Sequence, residues 1–172
     1  MLRTERLSLS PVEPADLDAL HAMWTAPGVR RYLWDDEIIP MQKTREAVAE
    51  SERLFRTEGT GLWLVRGKES PQPIGFCGYW YFRTPPEREL LYGIAEEHWG
   101  KGYATEAAVA MLRHGFEELG FAEIVASTDA TNAASVRVME KAGMRFLRRA
   151  TSGGLDTIYY VAERGRWAPS SS

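Results

Sequence analysis

Apolar and polar residues alternate through "RLSLSPV" (6–12), with Leu7 and Leu9 on one face, and this predicts a first strand that Pro11 stops. In "EPADLDALHAMW" (13–24), Leu17, Leu20 and Trp24 recur at helical spacing, so a helix is expected to run to the neighbourhood of Pro27–Gly28. "MQKTREAVAESERLFRTEG" (41–59) reads as a second amphipathic helix, with Ala47, Leu54 and Phe55 inward and Gly59 as its stop. "GLWLV", "PIGFCGYWYF" and "ERELLYGI" read as strands, the first two joined by the turn-rich "GKESPQP". The longest stripe follows: Ala104, Ala107, Ala108, Met111, Leu112, Phe116 and Leu119 keep a 3.6-residue period and predict a helix buried along one side, closed by Gly120. "EIVAST" is a strand, and "NAASVRVMEKAG" is a helix with Asn132 as N-cap and Gly143 as its stop. "MRFLRRAT" and "DTIYYVA" are closing strands around the turn "SGG". The order β-α-α-β-β-β-α-β-α-β-β predicts one α/β domain on a mixed sheet.

The totals narrow the classes. A chain of 172 residues suffices for one domain with a proper core. Apolar and charged fractions of 44% and 26% are ordinary for a soluble globular protein. A net charge of −3 argues against a non-specific nucleic-acid surface. No apolar run is long enough to span a bilayer, so no membrane partner is expected. "MLRTERLSLSP" lacks the apolar core of a secretion signal, and the single Cys77 excludes an internal disulfide framework, so the reading is cytoplasmic. The polar "APSSS" predicts a frayed tail at 169–172 after a domain over 1–168.

"EEHWGKGYATEA" (96–107) carries the chemistry. Glycines around a lysine just before a helix suit a backbone that wraps phosphate. A P-loop needs four residues between glycines and Ser or Thr after the lysine, whereas six separate Gly93 from Gly100 and Gly102 follows Lys101. The dinucleotide pattern G-x-G-x-x-G/A accepts Gly100 and Gly102 but meets Thr105 at its third place. The remaining reading is an amide cradle. Gly100 and Gly102 let backbone approach a ligand, and the free N–H groups of Gly102, Tyr103 and Ala104 face an anion at the positive end of the helix. Standing alone, such a triplet reads as a simple strand-to-helix turn.

The surroundings decide. WGKGYATEA, then N-x-x-S at Asn132 and Ser135, then VMEKAGM-x-F, in that order and spacing, resemble the core of the GNAT superfamily of N-acetyltransferases. The resemblance is closest to the branch that acetylates ribosomal-protein N-termini, and it extends to "LRTERLSLSPVEPADLDALHAMW" and "GVRRYLW". It implies a mostly antiparallel sheet of six to seven strands flanked by helices, splayed between the fourth and fifth strands. It implies acetyl-CoA as co-substrate, with its pyrophosphate on the loop. The contacts it implies come from Ile94, Trp99, Gly100, Lys101, Gly102, Tyr103, Ala104, Thr105, Asn132 and Ser135. Trp99 stands where the family usually has a polar residue. The acceptor it implies is a protein N-terminal amine, with an amino acid, polyamine or aminoglycoside as alternative, and a homodimer is favoured. A different class of rival is an acyl-CoA sensor that keeps the fold without turnover.

Acetyl transfer to an amine needs a proton acceptor, an oxyanion donor and a proton source for the leaving thiolate; a positioned acid or base is worth on the order of 10²–10⁴ in rate. Glu89 matches a glutamate of the branch and is the candidate base, against a structural or substrate-orienting role. The helix from Asn132 lacks the tyrosine that serves as acid in many relatives, and Ser135 is the candidate acid, against plain capping with Asn132. The backbone N–H near Ile94 or Ala95 is the alternative donor to the thioester carbonyl. Cys77 reads as a core residue, and His21, His98 and His114 have no metal-ligand spacing. "WDDE" (34–37) is a solvated charge cluster or an attractor for a cationic substrate. Trp63, Tyr79, Trp80 and Tyr81 divide between core and acceptor groove in a way the pattern leaves open.

Overall fold

A computed structural model describes residues 1–68, 70–82, 87–152 and 154–169. Glu69 of the expected 67–73 turn, Gly153 of the "SGG" turn and residues 170–172 of the expected tail lie outside these.

Every predicted strand is present. In chain order the strands are β1 (Leu2–Arg3), β2 (Leu7–Pro11), β3 (Leu62–Gly67), β4 (Pro73–Tyr81), β5 (Arg88–Ile94), β6 (Glu123–Asp129), β7 (Arg145–Ser152) and β8 (Leu155–Glu163). The helices are α1 (Leu17–Thr25), α2 (Pro27–Leu33), α3 (Met41–Glu58), α4 (Tyr103–Glu117) and α5 (Ala133–Lys141). Two of these strands and helices were not expected. β1 is two residues long, too short to show alternation, and exists by pairing Leu2 with Leu9 and Arg3 with Ser8. It raises the strand count to eight. α2 begins at Pro27, which the pattern reads as a helix stop. Proline at N1 loses only an amide that has no helical partner anyway, so the residue that ends one helix opens the next.

The strands form one mixed sheet in the order β1-β2-β3-β4-β5-β6-β8-β7. All neighbours are antiparallel except β5 and β6. Both faces are covered. Along β3 the side chains alternate, with Leu62 and Leu64 packed with α1, α2 and α3 on one face, and Trp63 and Val65 packed with α4 on the other. On α4 the predicted stripe is buried at Ala107, Ala108, Met111, Leu112 and Phe116, while Leu119 lies past the helix end and is partly buried. Gly115 permits the close approach: a Cβ there would stand 2.2 Å from the Tyr79 hydroxyl, which donates to the Met111 carbonyl at 2.6 Å. This packing fixes where the N-terminus of α4 points.

α3 turns Thr44, Val48, Ser51 and Leu54 to the core, and the expected Ala47 and Phe55 flank that line, half-buried. Gly59 caps it at φ 71°, as expected. Trp63 and Tyr79 belong to the core, whereas Trp80 and Tyr81 do not.

Candidate active site

β5 and β6 touch at one register position, Glu89 opposite Val125, and part beyond it. Parallel strands that separate toward their carboxyl ends leave unpaired backbone facing a gap. A cavity of about 1110 Å³ occupies this fork, walled by Leu90–Ile94 of β5, by Ser127, Thr128 and Asp129 of β6, and by the start of α5.

At the mouth of the fork stands the glycine loop. Gly100 and Gly102 adopt φ 75° and 79°, where a side chain is strained. A Cβ on Gly100 would meet nothing within 4 Å, so the conformation and clearance toward the cavity call for glycine there, not internal packing. Gly102 is the N-cap of α4 and gives no side-chain cap. Among the described residues the first-turn amides therefore have neither helical nor side-chain partners, and Gly102, Tyr103, Ala104 and Thr105 all line the cavity. These donors at the positive end of a 15-residue helix fit a pyrophosphate.

The loop is held by residues distant in sequence. Glu106 accepts from the Thr4 hydroxyl at 2.6 Å, from the Arg6 backbone N–H at 2.8 Å and from Arg6 Nε at 2.7 Å. Arg6 Nη1 also donates to the Lys101 carbonyl at 2.8 Å, and its guanidinium lies 4.9 Å from the Tyr103 ring centroid. Burial pushes the Glu106 carboxyl up, but the bonds from Thr4 and Arg6 outweigh it and hold the group below the usual glutamate range. A depressed folded pKa contributes stability that is present above the unfolded value and lost as pH falls through the folded one. Glu106→Gln should cost about 1 kcal/mol at pH 7, discounted because Arg6 is half-exposed, or roughly 2–4 °C in Tm. Melting curves of the two proteins should converge as pH drops below about 4.5; a gap that stays constant into acid would contradict the charged clamp.

Trp99 donates its indole N–H to the Ile94 carbonyl at 2.6 Å, tying the loop to the tip of β5. Lys101 bends back to the Glu97 carbonyl at 3.2 Å and is not on the cavity wall. The Ala95 N–H donates to the Ile74 carbonyl at 2.9 Å, so of the two backbone donors considered for the thioester carbonyl, Ala95 is already engaged.

Glu89 is buried, 1% exposed, at the closed end of the fork. The Ser127 hydroxyl donates to its Oε2, and it is Ser127 that lines the cavity. Across the fork, Asn132 Oδ1 accepts from the Ser135 N–H at 3.2 Å, the expected cap. Ser135 Oγ lies 2.8 Å from the Tyr92 hydroxyl, which also reaches the Ser135 carbonyl at 3.1 Å. Burial raises the Tyr92 phenol to about 12, with Ser135 pulling it slightly the other way, so it keeps its proton at neutral pH. Tyr92 and Ser127 escaped sequence reasoning. Their signal was weak: both lie on the strands bounding the fork, but neither stands in a motif, and the Tyr92–Ser135 contact joins residues 43 positions apart.

The cavity carries both signs of charge, with Arg31, Arg137 and Lys141 among its walls. Asp35, from "WDDE", and Asp129, at the end of β6, both line it. Burial raises the Asp129 pKa first, and the Asp35 charge raises it further. Asp35 and Asp36 take φ 51° and 65°, unusual for non-glycine residues, and Arg30 pins Asp36 at 2.9 Å. His98 lines the cavity, while His21 bonds Thr44 at 2.8 Å and His114 stacks edge-on against Trp63. Cys77 is fully buried, its thiol pushed up by desolvation, as a core residue should be. Among the described residues no group of three His, Cys, Asp or Glu could hold a metal, and no helix is long and apolar enough to cross a membrane.

A sheet that forks beside a loop of open helix-start amides leaves room for a long ligand with phosphate at one end, the room that an acetyl-CoA-dependent transferase needs. The family comparison agrees. The chain belongs to the GNAT acetyltransferase family, whose domain model matches residues 6–145, and it is an N-acetyltransferase of that family. It is 40% identical to the uncharacterized N-acetyltransferase YnaD of Bacillus subtilis, over 96% of this chain and 98% of that one. An acetyltransferase from Agrobacterium tumefaciens superposes with a TM-score of 0.82 at 28% identity, covering 94% and 93% of the two chains. The same fold, at 16% and 17% identity and a TM-score of 0.77 for each, occurs in RimL, a ribosomal L7/L12 α-N-protein acetyltransferase in complex with coenzyme A, and in AAC(6')-Ib in complex with paromomycin and acetyl-CoA. These cover 93% and 94% of this chain, and 95% and 96% of theirs.

Proposed function

We propose that the protein transfers an acetyl group from acetyl-CoA to a primary amine by direct attack in a ternary complex, with a protein N-terminal amine as acceptor. The observation that carries the reading is the fork, paired at Glu89–Val125 alone and continuous with an open amide cradle. Acetyl-CoA supplies the activated acetyl group. The amides from Gly102 to Thr105 hold its pyrophosphate, and Ile94, Asn132 and Ser135 border its arm. Lys101 adds charge from outside the cavity. Glu89 receives the amine proton through the Ser127 hydroxyl, which stands between the carboxylate and the cavity. The Ser135 O–H bonds the leaving sulfur.

Tyr92 sets which way Ser135 acts. If the phenol donates to Ser135 Oγ, the serine proton is free for the cavity; if it donates to the carbonyl, the serine proton points back at the phenol. Ser135→Ala should lower kcat on the order of 10²-fold. Tyr92→Phe should lower it about tenfold with unchanged KM for acetyl-CoA, one net hydrogen bond in the transition state. The double variant should be no slower than Ser135→Ala; additive losses would separate the two residues.

The acidic pair Asp35–Asp129 supports a second acceptor reading, a small polycationic amine. Free-thiol release from acetyl-CoA against peptides with free N-termini and against spermidine and an aminoglycoside tests both. Turnover of peptides alone supports the first reading and turnover of polycations alone the second. No thiol release with any amine, despite coenzyme A binding, overturns the catalytic reading in favour of a sensor.

A further inference from the structure

A second cavity of about 230 Å³ adjoins the first, and Leu33, Phe82 and Leu91 line both. Its remaining walls include Trp24, Trp34 and Trp80. It lies on the edge of the α1–α3 core cluster, where Trp24 meets Trp34 at 5.4 Å and Phe76 at 5.9 Å between ring centroids. Protein cores normally pack to crystal density, so a methyl-rich and aromatic space of this size beside a substrate cavity is unusual. The indole N–H groups of Trp24, 2% exposed, and Trp34 have no acceptor among the described residues, which is also uncommon for groups so placed. The chain takes its two consecutive left-handed residues immediately after Trp34. That turn sends Trp34 to the annex and Asp35 to the main cavity.

We propose that this annex is a side-chain pocket of the acceptor site, taking a bulky uncharged apolar group, aromatic or branched aliphatic, carried next to the amine that is acetylated. The inference rests on the reading of the main cavity as the acetyl-transfer site. Leu33, Phe82 and Leu91 form the shared wall of the two spaces, so a group in the annex lies one side-chain layer from an amine in the main cavity. The character of the walls selects the group. The Lys43 ammonium already stands 5.1 Å from the Trp34 ring centroid, so a second cation there would meet like charge, whereas an apolar group gains contact with three indoles. The amine itself stays in the main cavity, whose wall carries Ser127.

The test compares L-phenylalaninamide and L-leucinamide with glycinamide as acceptors, using wild type and Ala47→Leu. Ala47 lines the annex from α3 and is not on the wall of the main cavity. The wild type should favour the bulky amides by at least about tenfold in kcat/KM, since apolar pockets discriminate by roughly 10–200-fold per methylene-sized change. Ala47→Leu should erase that preference while glycinamide turnover and coenzyme A binding stay unchanged. A second readout needs no turnover and no variant: three of the six tryptophans line the annex, so phenylalaninamide should change the intrinsic fluorescence of the coenzyme A-saturated wild type where glycinamide does not. Equal turnover of all three amides, or equal fluorescence responses, overturns the pocket and leaves the transferase reading intact. Failure of every amine together with peptides and polycations overturns the reading beneath it.

Discussion

Gly102→Val should weaken acetyl-CoA binding at least about 100-fold, to the edge of detection by calorimetry. Position 102 sits at φ 79° as the N-cap of α4. An ordinary L residue pays about 1–2 kcal/mol in that region, and a β-branched one more, because its second γ carbon crowds the backbone. The new Cβ would also stand 3.4 Å from Arg6 Nη2, the group that clamps the loop. That distance alone is ordinary contact; it is the positive φ, with the valine γ carbons reaching beyond the Cβ, that should displace the helix start and the amides proposed to face the phosphates. About 2.7 kcal/mol is enough for a 100-fold loss. The fold should survive, since Gly102 is on the surface of the cavity and outside the core clusters. Gly102→Ala, which keeps the φ strain but not the branching, should fall between. Micromolar binding by the valine variant would show that the phosphates are held elsewhere.

Glu89→Gln should lower kcat/KM on the order of 10²–10⁴-fold while acetyl-CoA affinity stays within about twofold. The substitution is nearly isosteric, and its amide oxygen can still accept from Ser127, so the closed end of the fork stays pinned. What it cannot do is take up a proton. A purely structural Glu89 therefore predicts near-normal rates in the glutamine variant, and steady-state kinetics with a thiol reagent separates the cases. The buried position explains why a relay is proposed: Glu89 is 1% exposed, and the Ser127 hydroxyl bonded to it lines the cavity.

Periodicity was enough for the sheet and for α4, because Leu7, Leu9 and the Ala107–Phe116 stripe bury the faces their spacing announces. It was not enough for β1 or α2. Two residues cannot alternate, and Pro27–Gly28 carries the same letters whether a helix stops or starts. The glycine loop was legible because positive φ at positions 100 and 102 leaves a compositional trace. The fork left none; it was expected from resemblance and is visible only as the loss of pairing after Glu89. Side-chain partnerships across the fork were equally silent. Tyr92 meets Ser135 because β5 and α5 face each other across the fork, not through neighbouring sequence. Lys101, prominent in the motif, is turned away from the cavity by its bond to Glu97.

The clamp from Thr4 and Arg6 to Glu106 spans about a hundred positions of sequence. All the letters of the anion motif lie within one short stretch, yet the shape they take is imposed by residues far upstream in sequence and docked only once α4 exists. Coenzyme A affinity is thus a gauge of whole-domain assembly: a peptide or half-domain bearing the complete motif would carry the text of the site without its grip, and recovery of binding during refolding would mark the moment the two halves meet.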